Sequence, residues 1–134
     1  YILAPENIAR DLERLRNSLN PYNVNSVTLA MGKASVADDA YFRRNLERVI
    51  AEREKTADGL RKIGFKVLKS AANFLFAGYP RLGGRSIYEG LKARGVLVRF
   101  FDTPKLKDFC RITVGTKEEN DALLSALKDI LRDL

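Results

Sequence analysis

The sequence predicts an α/β (α+β) fold in which a small, mostly antiparallel sheet carries helices packed on one face. Two observations support this prediction. Helical periodicity and short strand-like runs follow one another in the order helix, helix, helix, strand, strand, helix, strand, strand, helix, which is typical of a small sheet covered by helices. The length of 134 residues suits one domain with its own core and is too short to favour two.

The first two predicted elements are helices. Pro5 and Glu6 suit the first turn of a helix that stops at Asn20-Pro21, and its apolar positions recur at helical spacing: Ile8, Leu12, Leu15 and Leu19. The segment PYNVNS then reads as a loop. Ser26 at its end is a candidate N-cap for a second helix that runs to about residue 35.

The third predicted helix is the longest. Asp38 or Asp39 can cap it, and Gly64 stands where a helix ends. Its apolar stripe consists of Phe42, Leu46, Val49, Ile50, Ala57 and Leu60. The opposite side mixes basic and acidic residues, including Glu52 and Arg53, which is typical of a solvated helix surface.

The remaining elements are four strands and two helices. Strands are predicted over 65–68, 73–77, 96–101 and 109–114, and a helix over 86–94 ends at Gly95. Thr116 and Glu119 form a capping-box pattern that opens the final helix. The apolar face of that helix comprises Leu123, Leu124, Leu127 and Leu131.

Composition excludes several classes of function. The chain contains no histidine and one cysteine, Cys110, so zinc sites, Ser/His pairs and Cys/His pairs are not expected. Cys110 is interpreted as a small buried hydrophobic residue, and it favours a reducing compartment. No apolar run approaches the roughly 18 residues of a membrane span, and no signal peptide opens the chain, so a cytoplasmic protein is predicted.

The chain is basic, with 24 Lys and Arg against 17 Asp and Glu, a formal net charge of +7. Such a charge is compatible with a polyanionic partner. The basic residues are scattered and mixed with acids, however, which favours a solvated surface. The first residue is Tyr1 and the single methionine is Met31, which leads us to expect that the chain is part of a longer polypeptide.

Two arginines interrupt the last two predicted strands. Because alternate side chains of a strand share a face, Arg99 lies on the side opposite Val96, Val98 and Phe100, and Arg111 on the side opposite Cys110, Ile112 and Val114. Both apolar sets should face the helices, which places the two arginines together on the other face. If the hairpin closes symmetrically around Lys105, Arg99 and Arg111 stand directly opposite each other.

That arrangement has three interpretations. Like charges on directly opposed residues are destabilising, and arginine is well built for bidentate binding of carboxylate and phosphate, so the pair is a candidate anion site. Alternatively, each arginine packs its stem on Phe101 or Phe109 and keeps its head in water. A free-standing module that binds single-stranded RNA on this face is also considered, because Phe101 and Phe109 could stack on bases.

Five motifs resemble the C-terminal part of histidinol-phosphate aminotransferases, which are fold-type-I pyridoxal phosphate enzymes. The motifs are PYNVNS, the Glu52-Arg53 pair, SAANFLF, LKARGVLVRFF and FCRITVGTKEENDALLSAL, in this order along the chain. The resemblance implies reversible transfer of an amino group between histidinol phosphate and glutamate or 2-oxoglutarate, in histidine biosynthesis. Aromatic aminotransferases and threonine-phosphate decarboxylases are the nearest alternatives within the superfamily.

The resemblance also implies roles for the two arginines. Arg111, in the RIT motif, would bind the substrate α-carboxylate or its counterpart region in the amino alcohol phosphate, and Arg99 would belong to the phosphate pocket. Residues 1–134 would form the small C-terminal domain, with 1–37 the helical connection from a large domain that binds the cofactor, in a homodimer. The chain has ten lysines, none in the family's serine-x-x-lysine setting followed by glycine and arginine, so by itself it is expected to bind no pyridoxal phosphate and to be inactive.

Overall fold

The computed structural model of the chain describes residues 2–133, which form two compact units, one up to Arg43 and one from Arg44 onward. The described residues contain nine helices and strands in the predicted order. Their bounds are α1 Glu6–Leu19, α2 Ser26–Ala37, α3 Asp39–Lys62, β1 Lys66–Val67, β2 Phe74–Gly78, α4 Gly84–Ala93, β3 Arg99–Phe100, β4 Cys110–Thr113 and α5 Lys117–Arg132. Helix α3 begins in the first unit and ends in the second.

The first unit contains α1, α2 and the start of α3. Helix α1 covers the predicted range, and within α1 and α2 no residue is buried. The predicted cap of α2 was wrong by one residue: the side chain of Asn25 accepts a hydrogen bond from the Thr28 amide at 2.8 Å, and Ser26 is the first helical residue. Asparagine caps a helix as well as serine does, so Asn25 fulfils the role that was predicted for its neighbour Ser26.

The second unit contains a four-stranded sheet in the order β1-β2-β4-β3, and all three strand pairs are antiparallel. In the β3–β4 pair Arg99 lies opposite Arg111, and Phe100 lies opposite Cys110. The register predicted from symmetric closure around Lys105 is therefore confirmed. In the β2–β4 pair Phe76 lies opposite Arg111, so β4 has a neighbour on each side.

Helices cover one face of this sheet, as predicted. The buried side chains that the strands contribute are Leu75, Ala77, Cys110 and Ile112. The helices contribute Ala57 and Leu60 from α3, Ile87 and Leu91 from α4, and Leu123, Ala126, Leu127 and Ile130 from α5. Among residues 2–133, no helix is both long enough and apolar enough to cross a membrane.

Local signals fix where the helices of this unit begin and end. Gly64 and Gly95 have positive φ angles of 92° and 77°, a conformation that glycine adopts without steric cost. In each case the next residue's amide bonds back to the helix, Phe65 to Leu60 and Val96 to Leu91, both at 3.0 Å, which is the Schellman arrangement. Thr116 and Glu119 form the predicted capping box at the start of α5.

Several element bounds differ from the predicted ones, and two of these differences have a structural cause. Helix α4 begins at Gly84 rather than at residue 86, because Gly83 has an extended backbone that serves as the cap and the Gly84 amide donates to the Lys107 carbonyl. Strand β3 covers two residues rather than the predicted 96–101. It is an edge strand with one neighbour, so a strand-like composition did not ensure ladder pairing along its whole length.

Candidate anion-binding face

The strand register places Phe76, Arg111 and Arg99 in one row across β2, β4 and β3. Their side chains stand on the face of the sheet that the helices leave open, because the alternate residues Cys110 and Ile112 point into the core. Both arginines are exposed. We call this surface the arginine face, defined by Arg99, Arg111, Phe74, Phe76, Phe101 and Phe109.

Neither arginine of this face has a carboxylate partner in the part of the chain that the structure describes. Within residues 2–133, no Asp or Glu lies within ion-pair distance of Arg99 or Arg111. Arg85, by contrast, pairs with Asp102, and Arg94 pairs with Asp133 at 2.7 Å. Two like charges on directly opposed residues raise the free energy of the isolated sheet. An anionic group bound at either guanidinium would lower that cost.

Aromatic rings support both guanidinium groups. The Arg111 Cζ atom lies 5.5 Å from the centroid of the Phe74 ring, and the Arg99 Cζ atom lies 5.3 Å from that of Phe101. Both distances are within the range of cation–π attraction. The packing of Arg99 on Phe101 agrees with the sequence interpretation, whereas Arg111 packs on Phe74 and not on Phe109.

The rest of the face is filled by a second pair of rings. Phe76 and Phe109 stack with their centroids 5.2 Å apart and their planes 9° from parallel. Offset stacking of this kind is favourable beyond the area that it buries. The arginine face therefore consists of two cations set among four half-buried phenylalanines, with no negative charge in its defining set.

Buried and half-buried hydrogen bonds fix the segment that leads into β2. The Ser70 hydroxyl donates to the Phe74 carbonyl at 2.6 Å, and the Val114 amide donates to the Asn73 carbonyl at 2.9 Å. The Arg53 guanidinium donates to the Ala72 carbonyl at 3.2 Å and is only 13% exposed. These bonds hold Phe74, and through it Arg111, in position.

The turn that follows β4 is held by a buried amide. Asn120 is 4% exposed. Its side-chain oxygen accepts from the Gly115 amide and its nitrogen donates to the Gly115 carbonyl, both at 3.1 Å. The same nitrogen lies 3.4 Å from a carboxylate oxygen of Glu52, whose pKa is lowered mainly by a hydrogen bond from Lys55. Helices α3 and α5 thus position the end of β4.

Cys110 lies directly beneath the arginine face, on the core side of β4. It is fully buried, and its thiol donates a hydrogen bond to the Gly84 carbonyl at 3.2 Å. Burial raises the pKa of the Cys110 thiol to about 11, because a thiolate would lose its hydration there. The thiol is therefore neutral near pH 7. The complete burial of the side chain confirms that Cys110 is a small buried residue of the core.

Sequence reasoning placed Arg99 and Arg111 on one face but missed two contributors. Phe74 was seen only as part of a strand, although the alternation in NFLFA puts Phe74 and Phe76 on the same side. Its neighbourhood with Arg111 depends on β2 pairing with β4, which sequence order did not reveal. Arg53 was interpreted as a solvated surface residue, and its backbone partner lies 19 positions away.

Comparison with known proteins identifies the family. The model for aminotransferases of class I and II matches residues 1–127. A histidinol-phosphate aminotransferase of Clostridium beijerinckii is 41% identical over 131 residues, which are 98% of this chain and 37% of that protein. The chain thus spans well under half the length of the curated relatives that it matches.

Solved structures of aminotransferases have the same fold as this chain. The histidinol-phosphate aminotransferase from Clostridium acetobutylicum superposes with a TM-score of 0.78 and 25% identity, covering 89% of this chain and 37% of that one. The enzyme of the same name from Sinorhizobium meliloti, solved in complex with pyridoxal-5'-phosphate, gives a TM-score of 0.83 at 22% identity, over 95% of this chain and 34% of that one. These matches do not favour the alternative of a nucleic-acid-binding module.

Proposed function

The chain belongs to the class I and II aminotransferase family, and on that premise we propose that it is the substrate-recognition and closure domain of a histidinol-phosphate aminotransferase. The proposed reaction exchanges an amino group between histidinol phosphate and glutamate or 2-oxoglutarate. Its support is the 41% identity to a curated enzyme of that name. The buried free thiol of Cys110 is consistent with a cytoplasmic enzyme.

The observation that carries the proposal is the pair of arginines that have no carboxylate partner among residues 2–133 and lie on the sheet face opposite the core. Both substrates of the proposed reaction are anionic, one through carboxylates and the other through a phosphate. Arginine binds either group through two parallel hydrogen bonds. We assign the substrate α-carboxylate, or the corresponding region of histidinol phosphate, to Arg111, and the phosphate to Arg99.

The surroundings of the two arginines would strengthen this binding. When a substrate and the rest of the polypeptide cover the arginine face, its four phenylalanines help to exclude water. The attraction between each guanidinium and an anion then grows, because the local dielectric constant falls. The guanidinium groups are already seated on rings, so little side-chain freedom is lost when an anion binds. The chain's own contribution is thus to bind and orient the substrate, and to exclude water around it.

The residues of this chain do not fit pyridoxal phosphate by themselves. A lysine that forms a Schiff base needs an environment that lowers the pKa of its amine. All ten lysines here are exposed, and the pKa of Lys117 is raised, first of all by its hydrogen bond to Asp121. We therefore assign the cofactor to another part of a longer polypeptide and expect this chain alone to be inactive.

We further propose that residues 1–134 are the small C-terminal domain of that polypeptide, with 1–37 the helical connection to its large domain. Apolar side chains that stay exposed on the first unit support this assignment. They include Leu15 at 56%, Leu19 at 82% and Val36 at 87%. Apolar side chains that lie together on a surface, as Leu15 and Leu19 do one turn apart on α1, normally mark a contact with other protein. We expect the complete polypeptide to form a homodimer.

The test uses the full-length polypeptide that contains this segment. We expect Arg111→Ala to lower kcat/KM for 2-oxoglutarate about tenfold to a hundredfold, the loss that corresponds to one charged bidentate contact. Arg99→Ala should lower kcat/KM for histidinol phosphate by a similar factor and should leave that for 2-oxoglutarate nearly unchanged.

The matched control is Arg132→Ala, because Arg132 is a highly exposed arginine of α5 that pairs with Asp129 on the same helix. Arg53 is unsuitable as a control, since it holds the Ala72 carbonyl. Activity in Arg111→Ala equal to that of Arg132→Ala would contradict the assigned role. A uniform loss for all substrates in Arg99→Ala would contradict the phosphate assignment.

A further inference from the structure

We propose that Phe74 and Phe101 are positioning residues that hold the guanidinium groups of Arg111 and Arg99 apart, so that each arginine serves a different anionic group. This inference rests on the proposed function, because it concerns the same face. It adds two residues that do not contact the reacting atoms. It also gives a physical reason why two like charges can stand opposite each other in one sheet.

The ring on which the Arg111 guanidinium packs is displaced along the strand direction from Arg111 itself. The residue of β2 directly opposite Arg111 is Phe76, but the guanidinium lies over Phe74, which is opposite Thr113. Arg111 therefore leans toward the Thr113 end of β4. The stacked rings of Phe76 and Phe109 occupy the other side of Arg111, so the guanidinium packs on Phe74.

Arg99 leans the opposite way. Its guanidinium lies over the ring of Phe101, which is two residues later in the chain and follows directly on β3. Because β3 and β4 are antiparallel and Phe100 is opposite Cys110, Phe101 lies toward the Phe109 end of β4. The two side chains thus start from directly opposed positions and are drawn to opposite ends of the strand pair.

This displacement has an electrostatic and a chemical consequence. Repulsion between two like charges falls as their separation grows, and each cation gains attraction from the ring below it. The pair is then arranged to bind two anionic groups at separate points. Loss of Phe74 should weaken only the group bound by Arg111, and loss of Phe101 only the group bound by Arg99.

The experiment uses the full-length enzyme with Phe74→Leu, Phe101→Leu and the ring-conserving variants Phe74→Tyr and Phe101→Tyr. We expect Phe74→Leu to raise the KM for 2-oxoglutarate about fivefold to tenfold, the range of a partly desolvated cation–π contact, with a much smaller change in kcat. Phe101→Leu should do the same for histidinol phosphate. Each Tyr variant should restore KM to within about twofold.

The matched control is Phe100→Leu. Phe100 is also a half-buried ring beneath an arginine, with the Arg85 Cζ atom 5.1 Å from its centroid, but it lies on the helix-covered side of the sheet. This variant should lower thermal stability without changing either KM. Phe74→Met, which keeps a long apolar side chain and removes the ring, is a second variant with the same expected KM, and thermal unfolding establishes that each variant is folded.

The outcomes separate this inference from the function on which it rests. If Arg111→Ala raises the KM for 2-oxoglutarate and folded Phe74→Leu and Phe74→Met do not, the inference is wrong and the proposed function stands. If Arg111→Ala has no effect, the proposed function itself fails. Equal losses for both substrates in Phe74→Leu and Phe101→Leu would show general damage to the face and would also overturn the inference.

Discussion

The two faces of one strand pair differ in what explains them. On the core side of β4, Cys110 and Ile112 are buried against helices of the same chain, so packing within the chain accounts for them. On the other side, Arg111 and Arg99 are exposed, opposed and without carboxylate partners among residues 2–133. The core-side residues stabilise the fold. The opposed arginines on the other side raise the free energy of the sheet by like-charge repulsion, which a bound anion would relieve.

The largest expected difference is between neighbours on β4. Ile112→Ala should lower the free energy of unfolding by about 2 to 5 kcal/mol, because it removes buried methyl groups and leaves a cavity. Arg111→Ala should change it by less than about 0.5 kcal/mol, since an exposed side chain is lost and a like-charge repulsion with Arg99 is relieved.

Urea denaturation of the chain, followed by circular dichroism, measures both values. A loss in Arg111→Ala comparable to that in Ile112→Ala would show that the arginine face is a structural element of the fold. The comparison between the two faces would then no longer hold.

The ionisation of Cys110 is expected to change the free energy of unfolding by a smaller amount, about 1 to 3 kcal/mol. Its pKa is about 11 in the folded chain and near 8.5 when unfolded, so the folded state binds the thiol proton more tightly. The contribution to stability is complete below about pH 8.5 and is lost as the pH rises toward 11. Unfolding free energies measured from pH 7 to 11 should therefore fall more steeply in the wild type than in Cys110→Ala. Parallel pH profiles would show that the thiol is not buried.

The smallest effect separates a structural arginine from an ordinary surface one. Arg53→Ala should cost about 1 kcal/mol, because it removes a largely buried hydrogen bond to the Ala72 carbonyl. Arg61→Ala is the control, since Arg61 is half exposed and pairs with Asp58, three residues earlier on the same helix. Equal unfolding midpoints for the two variants would contradict the anchoring role of Arg53.

Much of the fold could be predicted because its signals are local. Gly64, Gly95 and the Thr116–Glu119 capping box each fix a helix end through bonds between residues close in sequence. The Arg99–Arg111 pairing followed from alternation and a symmetric hairpin. The family of the chain and the roles of the two arginines were both predicted from a resemblance. The family is confirmed, and the roles of Arg99 and Arg111 stay predictions.

What could not be predicted depends on contacts between distant segments. Phe74 lies under Arg111 because β2 inserts beside β4, and no local pattern specifies that neighbour. The anchoring of Ala72 by Arg53 has the same cause, because a backbone carbonyl leaves no mark on the sequence. Side chains that only position others are therefore the part of the site that sequence reasoning misses.

The most direct test of the central claim is the affinity of the full-length polypeptide for 2-oxoglutarate, measured by calorimetry in the wild type, in Arg111→Ala and in Arg132→Ala. If the arginine face binds the substrate carboxylate, Kd should rise about tenfold to a hundredfold in Arg111→Ala only. An unchanged Kd in folded Arg111→Ala would contradict the account and leave Arg111 as a solvated surface residue.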